Sequence, residues 1–210
     1  MTAAHREKSK KLLGGRASPE DVALAEAPNQ GKPVPQAQQD ARERVLRAFY
    51  EENGQENALK DEQGDLYGTD ANGRPIKKLR KVTKKEVEEQ TNGASLDHPV
   101  RIGPAPPSDT PLQQWQAPGN DRGNYFAPAG QSPDQLGINP QGKAWNQPGQ
   151  PVLAKEPTPH HVAPDTPYMQ STAAPVTDTW SVPGDPYDAA GGGNQQYMPA
   201  GCDSGSPLIG

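Results

Sequence analysis

Apolar side chains recur with a helical period in one segment of the first half of the chain. Within residues 38–53 they stand at Ala41, Val45, Leu46, Phe49 and Tyr50. This spacing places all of them on one face of a helix, and the glycine at position 54 supplies a stop signal. The pattern predicts a helix that packs its apolar stripe against a neighbouring element, with a partner-binding helix as the alternative.

Two short motifs after this helix predict a hairpin and a second helix. Asn72-Gly73 favours a type I′ turn because both residues tolerate positive φ, while Pro75 confines the returning strand to an edge or a strand start. Thr83 and Glu86 match the S/T-x-x-E capping box, in which each side chain bonds to the backbone N–H of the other residue. We therefore expect a helix that begins after Thr83 and ends before Gly93.

Charge and proline divide the chain into unlike halves near Arg101. Residues 1–101 contain 18 of the 21 lysines and arginines and six of the 25 prolines, whereas residues 102–210 contain 19 prolines and all three tryptophans. Residues 1–36 are rich in proline and have no apolar run long enough for an independent helix, which predicts a flexible tether. The predicted organisation is this tether, a charged helical and linker region over residues 37–101, and a folded domain over residues 102–210.

The second half has the pattern of short strands joined by long loops. Its segment 168–180 is rich in threonine, valine and aromatic residues, which favour strands, and it is broken near Pro175. We predict an irregular, mainly β domain with about six short strands, and α+β as the fold class of the whole chain. The His160-His161 pair lies in the proline-rich segment PTPHHVAPDTP and is expected in an exposed loop.

Several functional classes lack the residues that they require. No run approaches the roughly 18 apolar residues of a membrane span, and the basic N-terminal segment lacks the apolar region of a standard secretory signal. The single cysteine, Cys202, has no partner for a disulfide, and we predict no catalytic zinc or other metal. The basic run Arg74–Lys85 is followed closely by three glutamates, so we expect a solvated surface there and no nucleic-acid binding.

The second half contains two glycine-containing motifs in a fixed order along the chain. The segment Gly123–Gly130 reads GNYFAPAG, the segment Gly191–Gln195 reads GGGNQ, and Ala173-Ala174-Pro175 lies between them. In this order, over about residues 110–200, the chain resembles the necrotizing-toxin-type NAD glycohydrolases, which are toxin domains of bacteria and fungi. The resemblance implies an ADP-ribosyltransferase-like fold that takes NAD or NADP as its substrate, with no separate cofactor.

The resemblance also assigns roles to residues of this chain. It implies Gln195 as the catalytic residue, positioned by the three glycines before it. Gln114 stands where the family pattern has an early arginine, so Arg122, and then Arg101, are the candidates for holding the diphosphate. Together with the aromatic candidates that the chemistry of the reaction adds, the substrate-binding residues expected from the sequence are Gly191, Gly192, Gly193, Arg122, Arg101, Tyr125, Phe126 and Trp180.

The chemistry of cleaving the bond between nicotinamide and ribose requires a site of the same kind. Nicotinamide leaves NAD as a neutral molecule from a charged pyridinium, so the enzyme need not protonate it. The site needs a rigid pocket, an aromatic wall and a polar group beside the ribose or the attacking water. Tyr125, Phe126 or Trp180 could supply the wall, but each is also typical of a buried core. Three consecutive glycines equally suit a flexible hinge, and a ring nitrogen of the His160-His161 pair is a further candidate near the ribose.

Three functions stay open at this point. The first is a toxin or effector, secreted or delivered into a target cell by a non-classical route, that hydrolyses NAD(P) in the cytosol and has an immunity or inhibitor protein as partner. The second is a non-catalytic structural or adaptor protein that is rich in proline and glycine and orders only against partners. The third is a mono-ADP-ribosyltransferase with Gln195 where glutamate is usual.

Overall fold

The computed structural model of the chain describes residues 3–58, 71, 78–104, 110–120, 122–144, 149–163, 166–199 and 208–209. The predicted Asn72-Gly73 turn, its neighbour Pro75 and Cys202 lie outside the described residues. Within them, four α-helices occupy the first half of the chain, and short strands account for most of the second half.

The helices are α1 (Ala3–Leu12), α2 (Pro19–Glu26), α3 (Gln36–Asn53) and α4 (Lys84–Asn92). The helix predicted over residues 38–53 is confirmed as α3, and its five periodic apolar side chains are all buried. The helix predicted after Thr83 is confirmed as α4, with its capping box formed and Gly93 at its end. No helix in the described ranges combines the length and the apolar character that a membrane span needs.

Residues 3–26 are largely helical, whereas the sequence predicts a flexible tether over residues 1–36 and no independent helix within it. Ser18 caps α2 and forms a capping box with Asp21, and Pro19 occupies the first turn of the helix. Leu13, Val22 and Ala25 of this segment lie in the same buried cluster as the apolar side chains of α3. An eight-residue helix is too short to be stable alone, and burial against the rest of the protein supplies the missing stability.

Thirteen β-strands are present in the described residues: β1 Gln55–Ala58, β2 Lys78–Lys81, β3 Arg101–Pro104, β4 Leu112–Gln116, β5 Tyr125–Pro128, β6 Gln141–Lys143, β7 Val152–Ala154, β8 Glu156–Val162, β9 Pro167–Thr172, β10 Val176–Asp178, β11 Tyr187–Ala189, β12 Asn194–Tyr197 and β13 Leu208–Ile209. Seven of them form one antiparallel sheet in the order β13-β8-β4-β5-β12-β9-β3, and the others pair in three two-stranded sheets. The predicted α+β class is therefore confirmed.

Among the described residues, eleven strands lie after residue 100, rather than about six. The strands predicted within residues 168–180 are confirmed as β9 and β10, with the break at Pro175. Other strands, such as β4 with its sequence LQQWQ, have no apolar alternation and form because neighbouring strands pair with them.

The proline-rich segment around the His160-His161 pair is strand β8, not the loop that its composition suggests. Pro157 and Pro159 lie opposite Trp115 and Gln113 of β4. Alternate residues of an antiparallel strand direct their backbone groups to the same side. The nitrogen atoms of both prolines therefore face the edge of β8 away from β4, and no hydrogen bond between β8 and β4 is lost because they carry no N–H.

The two faces of the large sheet have different neighbours. Tyr197 of β12 and Met169 of β9 are paired on the face that packs against the helices, in one cluster with Tyr50 of α3. We call this the helix face. Neighbouring residues such as Gln196 point to the opposite face, where Phe126 belongs to a smaller cluster. The predicted domain boundaries at residues 36 and 101 stay predictions, although the helices and the sheet share this apolar cluster.

The capping box of α4 predicts a stability that depends on pH. Hydrogen bonds from Arg80, at 2.7 Å, and from the backbone of Thr83 lower the pKa of Glu86 from 4.5 to about 2, against the opposing effect of burial. Because the folded pKa is the lower one, the stabilisation is complete above pH 4.5 and is lost as the pH falls towards 2. We expect Glu86→Gln to cost about 1 kcal/mol of unfolding free energy at pH 7, discounted for the exposure of the ion pair.

The measurement is urea unfolding of the wild type and Glu86→Gln at pH 7 and at pH 2.5. The difference between the two proteins should shrink at the lower pH. Glu88→Gln, on the exposed side of the same helix, is the control and should change stability little. An unchanged difference at both pH values would contradict the assigned role of the carboxylate.

Candidate functional site

An open cleft of about 900 Å³ lies where strand β4 separates from strand β5. The two strands pair at Leu112 and Gln113 only, so the sheet splits beyond this point. The walls of the cleft come from β4, β5, β12, the end of α4 and the loop after β10. Its lining includes Gln114, Tyr125, Phe126, Lys155, Trp180 and Gln195.

A glutamine side chain replaces the strand pairing that is lost at the split. Gln114 Nε2 donates to the carbonyl oxygen of Tyr125 at 2.7 Å, and its Oε1 accepts from the backbone N–H of Gly123, also at 2.7 Å. The side-chain amide offers a donor and an acceptor, as a peptide group does, and so it bridges two backbones that have moved apart. The residue that stands in place of the family's early arginine therefore fixes the base of the cleft.

Gln195 lies on β12 with its amide held in a fixed orientation. Its Nε2 donates to the carbonyl oxygen of Gly93, at the end of α4, and to Ser171 Oγ on β9, both at 3.1 Å. The residue is buried, yet it lines the cleft. Its Oε1 accepts no hydrogen bond from the described residues, so the amide oxygen is the group that remains for a ligand.

The three glycines before β12 are held by the protein itself. The backbone N–H groups of Gly191–Gly193 donate in turn to the carbonyl oxygens of Asp134, Ala173 and Gln135, at 2.8–3.0 Å. None of the three glycines is part of the cleft lining among the described residues. Their N–H groups are thus already used, and the loop contributes to the site by placing Gln195 rather than by cradling a ligand.

Gln131 connects this glycine loop to the other wall of the cleft. Its carbonyl oxygen accepts from Gln113 Nε2 at 2.8 Å and from Trp115 Nε1 at 2.9 Å. Its side-chain amide bonds to both the N–H and the carbonyl oxygen of Asn194, the residue before Gln195. The position of Gln195 relative to β4 is therefore fixed by side-chain amides on both sides of the cleft.

The glycine loop yields a stability prediction with an internal control. Gly191 has φ +70°, and a Cβ there would lie 2.5 Å from the carbonyl carbon of Ala174, whereas Gly192 has φ +85° and open space around it. We expect Gly192→Ala to cost about 1 kcal/mol for the left-handed backbone alone, and Gly191→Ala about 2 kcal/mol because of the added clash. Thermal or urea unfolding measures both. Equal costs would show that the loop relaxes and that the close approach is not required.

Trp180 is a large apolar residue that the structure leaves exposed beside the cleft. Its side chain is 52% exposed and contributes to the cleft lining. Its backbone N–H donates to Asp178 Oδ1 at 3.0 Å, which fixes the loop that carries the ring. Of the two interpretations of Trp180 from the sequence, the buried core is wrong, and the role of an aromatic wall stays a prediction.

Tyr125 and Phe126 contribute their rings to the core on opposite faces of the sheet. The hydroxyl of Tyr125 is 2.9 Å from that of Tyr50, its ring contacts Tyr197 edge-on at 5.0 Å, and burial raises its pKa well above the ordinary value. Phe126 is 2% exposed and contacts His160 edge-on at 5.5 Å. Both residues border the cleft, but neither ring is an open stacking surface.

The structure does not bring the two candidate arginines to the cleft. Arg101 lies on β3 and is paired with Gln170, which is paired with Gln196, so all three are on the sheet face opposite to that of Gln195. Arg122 is close enough to His160 to lower the pKa of that imidazole, in addition to the larger effect of burial. Neither arginine is part of the cleft lining among the described residues.

The two histidines differ in exposure. His161 is exposed as expected, whereas His160 is 8% exposed and its Nε2 has no hydrogen-bond partner among the described residues. The expectation of an exposed pair is therefore wrong for His160, because β8 places alternate residues on opposite faces. Within the described ranges, no three His, Cys, Asp or Glu side chains come together in a way that could hold a metal ion.

A hydrogen-bonded chain of three side chains at the cleft was not predicted from the sequence. Lys155 Nζ donates to Ser181 Oγ at 2.7 Å, and Ser181 Oγ donates to Asp178 Oδ2 at 2.6 Å. Asp178 is completely buried, and Lys155 lines the cleft. Burial lowers the pKa of Lys155, and the nearby Asp178 carboxylate opposes this shift.

Two features of the sequence could have indicated this hydrogen-bonded chain. Lys155 is one of three basic residues after position 101, and Asp178-x-x-Ser181 has the spacing of a side-chain-capped turn.

Comparison with known proteins supplies evidence of a different kind. The curated NAD(P)+ glycohydrolase toxin Tse6 of Pseudomonas aeruginosa (strain PAO1) is 33% identical over 121 residues, which are 57% of this chain. That match spans about a quarter of the length of Tse6, 27%. The solved structure of Tse6 in complex with Tsi6 is 29% identical, covers 61% of this chain and 85% of that chain, and has a TM-score of 0.46.

The family comparison covers more of the chain. The sequence model of the family described as bacterial toxin 46 matches residues 61–203, which is more than half of the chain. The match includes the glycine loop, Gln195 and every residue of the Lys155–Ser181–Asp178 chain. It confirms the resemblance to a toxin domain and argues against the structural or adaptor protein. The chain belongs to the bacterial toxin 46 family.

Proposed function

We propose that this chain is an NAD(P) glycohydrolase, which cleaves the bond between nicotinamide and ribose in NAD or NADP. The oxygen of a water molecule bonds to C1′ of the ribose while the C1′–N1 bond breaks and its electron pair goes to nicotinamide. The water gives up one proton. The products are nicotinamide, a proton and ADP-ribose or its phosphorylated form, so the reaction needs no redox partner and no protonated leaving group.

The observation that carries the proposal is the placement of the Gln195 amide in the cleft. Gly93 and Ser171 hold its Nε2, and its Oε1 is left to accept a hydrogen bond from the attacking water or from a ribose hydroxyl. An acceptor that is already oriented does not have to reorganise as the transition state forms. The 33% identity to a curated toxin that acts on NAD(P) supports this choice of substrate.

Trp180 is the residue that we propose as the aromatic wall of the site. An exposed indole beside the cleft offers a flat surface on which a heterocycle of the dinucleotide can stack. The negative face of an indole also attracts the positive charge that the nicotinamide ring carries before the bond breaks. Tyr125 and Phe126 are not needed for this role, because their rings stabilise the core.

Two features of the biology belong to the same proposal. NAD(P) is held in the cytosol of a target cell, so we propose that the chain is exported or delivered by a non-classical route and acts there. An enzyme that destroys NAD(P) would also harm the cell that produces it. We therefore propose an immunity or inhibitor protein as its partner.

The test is incubation of the purified full chain with NAD and, separately, with NADP. We expect free nicotinamide and free ADP-ribose, or its phosphorylated form, to be produced in equal amounts. Release of nicotinamide with ADP-ribose attached to protein would identify a transferase instead. No nicotinamide from either dinucleotide would overturn the proposed function.

A further inference from the structure

One lysine in the cleft is held by the protein in a way that leaves its charge available. Lys155 Nζ donates to Ser181 Oγ at 2.7 Å, and this is its one hydrogen bond to the described residues. An ammonium group has three N–H donors, so two remain for a ligand. Lys155 is also the single basic residue among the described residues that line the cleft.

The buried carboxylate behind this lysine is satisfied without it. Asp178 accepts hydrogen bonds from the backbone N–H groups of Asn139, Trp180 and Ser181 at 2.8–3.0 Å, and from Ser181 Oγ at 2.6 Å. The serine hydroxyl therefore lies between the carboxylate and the ammonium. A lysine that neutralised Asp178 would contact the carboxylate directly. Here the Ser181 hydroxyl positions the ammonium, which forms no direct ion pair with the carboxylate.

The stem of the lysine is also fixed. The backbone N–H of Lys155 donates to the carbonyl oxygen of Pro140 at 2.8 Å. A Cβ at Gly142 would lie 2.9 Å from Lys155 Cε, so the glycine makes room for the side chain. A cation whose rotamer is already set loses less entropy when it binds an anion.

We propose that Lys155 binds the diphosphate of the dinucleotide, beside the ring of Trp180. The inference rests on the proposed function for the identity of the ligand. A lysine ammonium is a compact point charge that suits phosphate oxygens. It supplies the contact for which the sequence suggested Arg122 or Arg101, neither of which lines the cleft among the described residues.

The test is equilibrium binding of ADP-ribose, which contains the diphosphate and lacks the scissile bond, to the full chain. Lys155→Met keeps the apolar stem and removes the charge, and we expect it to weaken binding about 10- to 100-fold. Lys155→Arg should recover most of the affinity. Lys143→Met removes a charge from the neighbouring strand β6, outside the cleft lining, and should leave the affinity unchanged. Lys155→Gln is a second neutral variant in case the methionine variant does not fold.

The outcomes separate this inference from the proposed reaction. Wild-type affinity in Lys155→Met and Lys155→Gln would overturn the diphosphate site, and so would equal losses in Lys155→Met and Lys143→Met. No binding of ADP-ribose by the wild type up to about millimolar concentration would also overturn it. Lys155-dependent binding without any release of nicotinamide from NAD or NADP would overturn the hydrolysis and leave the diphosphate site in place.

Discussion

Replacing Gln195 with alanine is expected to slow the release of nicotinamide from NAD about 100- to 1000-fold, because loss of one preorganised polar contact in the transition state typically has this effect. The contact is the Gln195 Oε1 acceptor in the cleft. The loss should fall mainly on kcat rather than KM if the contact strengthens as the bond breaks. Steady-state kinetics of the purified full chain with NAD and NADP measures both constants.

Gln196→Ala is the matched control for this variant. Gln196 is the next residue of β12, but it points to the opposite face of the sheet, beside Phe126 and Gln170, and is not part of the cleft lining among the described residues. We expect it to keep wild-type activity. Gln195→Ala also loses two hydrogen bonds, to Gly93 and Ser171, so its fold should be checked by thermal unfolding, where about 1–2 kcal/mol is expected. Full activity in Gln195→Ala, or loss of activity in Gln196→Ala alone, would contradict the assignment.

Replacing Arg42 with methionine is expected to cost about 3–4 kcal/mol of unfolding free energy. Arg42 lies on α3, and its side chain is completely buried. Its guanidinium donates to the carbonyl oxygens of Leu96 at 2.8 Å and Ala27 at 2.9 Å, and to Asn29 Oδ1 at 2.6 Å. A fourth bond, of 3.4 Å, reaches Ala25. Methionine keeps much of the stem but leaves these acceptors with fewer or no donors.

The readout for Arg42→Met can show whether the two halves of the chain unfold together. All three tryptophans lie after residue 110, so their fluorescence reports on the half that contains the large sheet. We expect the fluorescence midpoint in urea to fall together with the helical circular dichroism signal. Arg44→Met is the control. Arg44 lies two positions after Arg42 on α3 and forms an exposed ion pair with Asp21, and the loss of this pair should cost less than about 1 kcal/mol of unfolding free energy. A shift in circular dichroism without a shift in fluorescence would favour the predicted boundaries at residues 36 and 101.

The amino-acid sequence contained the local signals of several elements. The apolar period of residues 38–53 is the buried stripe of α3, and the Thr83–Glu86 pair is a formed capping box. These predictions succeeded because the interactions involved join residues three or four positions apart. The helices α1 and α2 were missed for the opposite reason. They depend on burial against α3 and β3, which no local pattern reveals.

Strand β8 also shows what local sequence patterns cannot predict. Strand β8 has prolines at positions 157 and 159, which argue for a loop when read alone. They are compatible with a strand because their nitrogen atoms face away from the neighbouring strand β4, so the hydrogen bonds between β8 and β4 do not require an N–H at these positions. Composition gives the number of prolines, whereas only the sheet order says which side of a strand is paired.

The candidate site was likewise determined in two parts. The sequence alone selected Gln195 through the GGGNQ motif, and the toxin family through the order of GNYFAPAG and GGGNQ along the chain, because each motif is a contiguous string of residues. Only the tertiary structure placed Trp180 beside the cleft, moved Arg101 to the opposite face, and joined Lys155 to Asp178 through Ser181. Lys155 and Ser181 are 26 positions apart, and their contact depends on how β7, β8 and the loop after β10 fold together. Chemistry carried by adjacent residues can be recognised in a sequence. Packing decides which side chains are buried, which face of the sheet they lie on, and which residues far apart in the sequence come into contact.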